Sequence, residues 1–76
     1  MEIKVLGTGW SSCKALFNTV NEAVSQLGIE AEVIKEEDLM KIMEYNVMSL
    51  PALVVDGKVV AKGKKLNVQQ VKELLK

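Results

Sequence analysis

The chain reads as an α/β fold of order βαβαββα, a four-stranded mixed sheet with helices on both faces. Three observations predict it. Short apolar runs alternate with helix-periodic stretches in the first half, Asp56-Gly57 separates two apolar runs in the second half, and the last ten residues return to helical spacing. With 76 residues, the whole of 1–76 is expected to form one domain. A chain this short buries only about 60% of its unfolded surface, so it has room for one core and no second module.

Each element has its own local cause. Ile3 to Leu6 is a short buried strand, and Gly7 and Gly9 break it and allow a tight loop. A helix follows, with Leu16, Phe17, Val20, Ala23, Val24 and Leu27 at helical spacing. Ser11 or Ser12 serves as its cap, and Gly28 provides a left-handed stop. Ala31 to Ile34 forms the second strand. Glu36, Glu37 and Asp38 then open a second helix as charge matched to the helix dipole, with Leu39, Met40, Ile42 and Met43 on its inner side.

The C-terminal half carries sharper signals. Ala52 to Val55 and Lys58 to Ala61 flank Asp56-Gly57, the sequence of a two-residue type I′ hairpin. Lys62 to Lys65 turns the chain. Leu66 and Val71 form a hydrophobic staple around an Asn67 cap, and Gln70 completes a capping box for the last helix. A right-handed crossover makes the first two strands parallel, and the hairpin adds to the same sheet antiparallel.

Composition excludes several functions. Charges balance to zero, and all ten cationic residues are lysines, so the bidentate arginine contacts typical of nucleic-acid readers are absent. No apolar run approaches the ~20 residues that span a bilayer, and Met1-Glu2-Ile3-Lys4 does not open a signal peptide. A cytoplasmic monomer without nucleic-acid or membrane partners is the expectation. There is no histidine and one cysteine, so no imidazole base and no internal disulfide are available. No metal site and no cofactor are expected: the consecutive carboxylates 36–38 have no histidine or cysteine beside them, and Gly7-Thr8-Gly9 lacks the third glycine of a dinucleotide loop.

The chemistry concentrates at Cys13, which follows Gly7-Thr8-Gly9-Trp10-Ser11-Ser12 at a helix start. Unpaired N–H groups and the helix dipole favour a thiolate there, and the thiolate is the reactive form. The bland alternative is a small buried hydrophobe under the helix, with a raised pKa. The two accounts predict opposite reactivities. Trp10 either packs over the neighbouring loop or acts as an aromatic anchor for a partner. Serine nucleophiles have only Lys14 as a base, so Ser11 and Ser12 read as caps. Met48, just before Leu50-Pro51, reads as core filling with Met40 and Met43, the alternative being a soft contact at the site. Lys58, Lys62, Lys64 and Lys65 read as a solvated face protecting an edge strand, and Tyr45 as an interfacial aromatic.

The element order, the Gly7-Thr8-Gly9 loop, Leu50-Pro51-Ala52-Leu53 and Asp56-Gly57-Lys58 resemble the small thioredoxin-like, redox-active disulfide proteins of archaea and bacteria over essentially the whole chain. Members carry Gly-Thr-Gly-Cys-x-x-Cys, which aligns their second, resolving cysteine with Cys13 and their first, attacking cysteine with Trp10. The attacking thiol is missing, since WSSC stands in place of CxxC. The resemblance implies disulfide oxidoreductase chemistry with Cys13 as the catalytic thiol. It also implies a substrate-binding groove of Trp10, Leu50 and a cis Pro51, and a thiol- or disulfide-bearing protein or reductase as partner. One cysteine permits exchange or trapping without autonomous dithiol turnover. The alternative is a non-catalytic peptide- or protein-binding module using the same groove. A Cys13-linked dimer is open to the chain under oxidising conditions.

Overall fold

A computed structural model describes residues 1–7, 11–63 and 66–75, with the side chains of 11–13 outside the description. Seven elements follow the predicted order: β1 (Glu2–Leu6), α1 (Ser11–Leu27), β2 (Glu32–Glu36), α2 (Leu39–Met43), β3 (Ala52–Val55), β4 (Lys58–Lys62) and α3 (Val68–Leu75). The sheet order is β2-β1-β3-β4, with β1 parallel to β2 and antiparallel to β3.

Strand alternation sorts the side chains into two layers. Ile3 and Val5 of β1 join Leu53 of β3, Leu16, Val20 and Ala23 of α1, and Val71 and Leu75 of α3 in one buried cluster. Leu6, Ala52 and Val54 pack on the opposite face against Ile42 of α2, with Tyr45 and Val47 partly buried beside them. Helices therefore cover both faces of the sheet.

The local signals act as expected at three places. Asp56 and Gly57 take φ of 48° and 85°, the left-handed pair of a type I′ turn. Asp56 also ties the turn to β1, because its N–H donates to Glu2 O at 2.8 Å and its Oδ1 accepts from Glu2 N at 2.8 Å. The capping box forms in both directions: Gln70 N donates to Asn67 Oδ1 at 2.8 Å and Asn67 N to Gln70 Oε1 at 2.9 Å. Gly28 follows α1 with φ of 64°.

Other expectations need correction. β2 runs Glu32–Glu36 rather than 31–34, because its parallel register with β1 extends to Leu6↔Glu36. Glu36 thus ends a strand by its backbone, yet its Oε2 accepts from the N–H of the cap residue Asp38 at 3.3 Å, while Asp38 Oδ1 accepts from Met40 N at 2.9 Å. Glu37 sits 3.0 Å from Lys35 instead. β4 extends to Lys62 and carries an irregularity: Leu53 pairs with Ala61 and Val54 with Val59, leaving Val60 as the extra residue of a bulge. Ser11 and Ser12 are the first two helical residues of α1, and Lys64 and Lys65 lie outside the described residues.

The largest correction concerns α2. It is only five residues long, and of its apolar residues Ile42 alone is buried; Leu39, Met40 and Met43 are 56%, 74% and 60% exposed. Met48 is 96% exposed and fills no core. A helix of little more than one turn presents one residue to the sheet, so the remaining apolar side chains face outward. Ile42→Ala is accordingly expected to cost about 2–5 kcal/mol in urea unfolding. Met40→Ala and Met43→Ala should each stay within about 0.5 kcal/mol. Comparable losses for all three would contradict this placement.

Candidate functional site

One end of the sheet collects the residues singled out in the sequence. At the C-terminal end of β1, Leu6 stands opposite Glu36 of β2 and Ala52 of β3, and Gly7 N–H donates to Glu36 O at 3.0 Å. Open α/β sheets place ligand sites at such strand ends. α1 starts four residues after Gly7, at Ser11, which makes Cys13 its third residue. Cys13 therefore lies in the first turn, where backbone N–H groups have no partner within the helix and the dipole is positive. Its side chain and the whole of Trp10 lie outside the described residues.

Leu50 and Pro51 reach the same end from the other side. Pro51 immediately precedes Ala52, the partner of Leu6, and the Leu50–Pro51 peptide bond is cis. Leu50 is 36% exposed and Pro51 is partly buried. The segment is fastened to the turn after β4, where Gly63 N–H donates to Pro51 O at 2.9 Å. The fold thus gathers the first turn of α1 and the Leu50-Pro51 segment at one sheet end.

Two features of the structure, one at this end and one in the middle of β1, were not read from the sequence. Gly63 was one residue of a lysine-rich turn, yet with φ of 64° it packs against Ser49, and a Cβ at position 63 would lie 2.7 Å from Ser49 Cβ. Its only local signal is a glycine between lysines. The second is Lys4, which projects from the central strand toward the α2 side. Lys4 Nζ donates to Tyr45 OH at 3.3 Å, lies 5.9 Å from the Tyr45 ring centroid and stands 3.7 Å from Glu2 Oε1. Lysine stems tolerate such positions because the apolar chain lies on the sheet while the ammonium reaches a polar partner.

Among the described residues no group of three or more histidine, cysteine or acidic side chains is arranged to hold a metal ion. No described helix is long and apolar enough to cross a membrane. A groove between β4 and α3, lined by Val60, Ala61, Leu66 and Leu74 among others, carries no thiol or hydroxyl group.

A thioredoxin-domain family model matches residues 1–76. The chain belongs to the thioredoxin family. It is 36% identical over 75 residues to a thioredoxin of Methanothermobacter thermautotrophicus, covering 99% of this chain and 97% of the relative. It is 38% identical over 74 residues to a thioredoxin of Methanocaldococcus jannaschii, covering 97% and 85%. The mixed four-stranded sheet with helices on both faces is the thioredoxin-like α/β fold, as the resemblance implied.

Within this thioredoxin fold the Lys4 contact gives a clean electrostatic prediction. The Tyr45 hydrogen bond and the Tyr45 charge hold the Lys4 ammonium above its ordinary value of 10.5, against desolvation and with still smaller help from Glu2 and Glu36. Because the folded-state value is raised, the contact's stabilisation is complete below the unfolded-state value and is lost as pH rises through the folded one. In an NMR titration of the lysine side chains, Lys4 should titrate above 10.5 in the native protein and move down toward 10.5 in Tyr45→Phe. An unchanged midpoint in Tyr45→Phe would contradict the assigned cause.

Proposed function

We propose that this protein is a thiol–disulfide redox protein reduced to a single thiol, which exchanges with or traps a thiol- or disulfide-bearing protein but does not turn over alone. The carrying observation is that α1 begins at Ser11, which puts the backbone of Cys13 in the first helical turn at the C-terminal end of β1. A thiol there is favoured as thiolate by the helix terminus, without any imidazole. The Cys13 thiolate attacks one sulfur of the partner disulfide, a Cys13–partner disulfide forms, and the other partner sulfur leaves as a thiolate that takes a proton from water. No second cysteine is present to displace the bound partner, so release requires an external thiol.

Leu50 and Pro51 act in this proposal as the surface along which the partner chain lies, pairing through the backbone in the manner of an added strand. Trp10, at the position of the family's first cysteine, closes the groove or anchors the partner. A reducing, cytoplasmic setting suits a free thiol of this kind. A second reading takes the same groove as a binding module without covalent chemistry. It is favoured by the exposure of Met48 and Leu50 beside Pro51, which leaves apolar surface for a partner. Loss of partner capture in Cys13→Ser separates the two, because the binding module retains it.

The test is the rate of Cys13 alkylation by iodoacetamide across a pH series, beside free cysteine with a pKa of about 8.5. A midpoint clearly below that of free cysteine is the expected result. Slow labelling with a midpoint above it would mark a buried remnant and leave the binding module in its place.

A further inference from the structure

We propose that Gly63 is a positioning residue for the groove, setting the place of Leu50 through contacts on both sides of it. The inference rests on the proposed role of Leu50 and Pro51 as the surface that receives the partner chain. On one side, Gly63 N–H donates to Pro51 O at 2.9 Å. On the other, the α-carbon of Gly63 approaches Ser49 so closely that a Cβ would fall 2.7 Å from Ser49 Cβ and 3.4 Å from Ser49 Oγ. The near atom is the first of its side chain and moves only with the Ser49 backbone, so no rotamer change relieves the overlap. Any side chain at position 63 pushes Ser49 outward while the hydrogen bond holds Pro51 in place. Leu50, caught between them, must rotate.

The molecule supplies its own control for backbone conformation. Gly28 has the same φ of 64°, but a Cβ there meets nothing within 4 Å. Gly28→Ala therefore carries the left-handed penalty alone, and Gly63→Ala carries that penalty plus the displacement of Ser49. The double variant Ser49→Gly/Gly63→Ala removes the overlapping Cβ and should return Leu50 to its place.

The experiment compares two disulfides with the same leaving group, 2,2′-dithiodipyridine and a short extended peptide whose single cysteine carries 2-thiopyridine. Both release pyridine-2-thione when Cys13 attacks, and only the peptide needs the groove. Gly63→Ala should slow the peptide reaction by about tenfold or more while changing the small-molecule rate by less than about twofold. Gly28→Ala should leave the ratio of the two rates unchanged, and Ser49→Gly/Gly63→Ala should restore it. An unaltered ratio in Gly63→Ala, or equal slowing of both reactions, would overturn the assignment. If native Cys13 attacks neither reagent, the proposed thiol chemistry fails, and the positioning role is then decided by amide resonances. Those of Ser49 and Leu50 must shift in Gly63→Ala and not in Gly28→Ala, and their constancy would overturn it.

Discussion

The register of β1 is the constraint on which the rest of the structure depends. It is bonded on one side to parallel β2 and on the other to antiparallel β3, and its alternate residues serve different layers. Ile3 and Val5 enter the layer with α1 and α3, while Lys4 and Leu6 face α2. A one-residue slip would place Lys4 among Leu16, Val20 and Leu53 and turn Ile3 and Val5 to the other face. The same register stops β1 at Leu6 between Glu36 and Ala52, which is why α1 and the Leu50-Pro51 segment arrive at a common end.

What was legible in the sequence follows from the range of the forces involved. The hairpin and the α3 capping box were readable because their determinants lie within four residues: Asp56-Gly57 accepts left-handed φ, and Asn67 and Gln70 satisfy each other's N–H groups. α2 was misread because apolar spacing signals an amphipathic face only when enough turns exist to bury it. With five residues, Ile42 takes the single inward place, and Met40 and Met43 cannot share it. The carboxylates at 36–38 illustrate the same limit, since strand pairing across the sheet takes the Glu36 backbone while only its side chain reaches the helix start. Nothing local announces the approach of Gly63 to Ser49, a contact between segments fourteen positions apart.

The candidate site divides along the same line. The place of Cys13 at a helix start was readable from glycine, serine and helical periodicity, and the backbone agrees. Pairing it with Leu50 and Pro51 came from family resemblance alone, because only the β1–β3 ladder brings their two segments to one end of the sheet. The exposure of Met48 was hidden for the opposite reason: hydrophobic residues read as core unless the fold leaves them outside. A thioredoxin scaffold thus persists in a chain with one cysteine, and its sheet, caps and turns are built from other residues.

The most direct test of a thioredoxin scaffold kept intact around a single-thiol site is to restore the absent sulfur. Trp10→Cys recreates a Cys-x-x-Cys pair at the start of α1, and the reduction of a protein disulfide by one equivalent of the pre-reduced variant, with no added thiol, can be measured against the native chain. The account predicts that Trp10→Cys releases the partner as a dithiol and is itself left with an internal disulfide, whereas the native chain stops at the Cys13–partner mixed disulfide. A folded Trp10→Cys variant that gains no reductase activity would contradict it and show that the groove itself no longer accepts a disulfide.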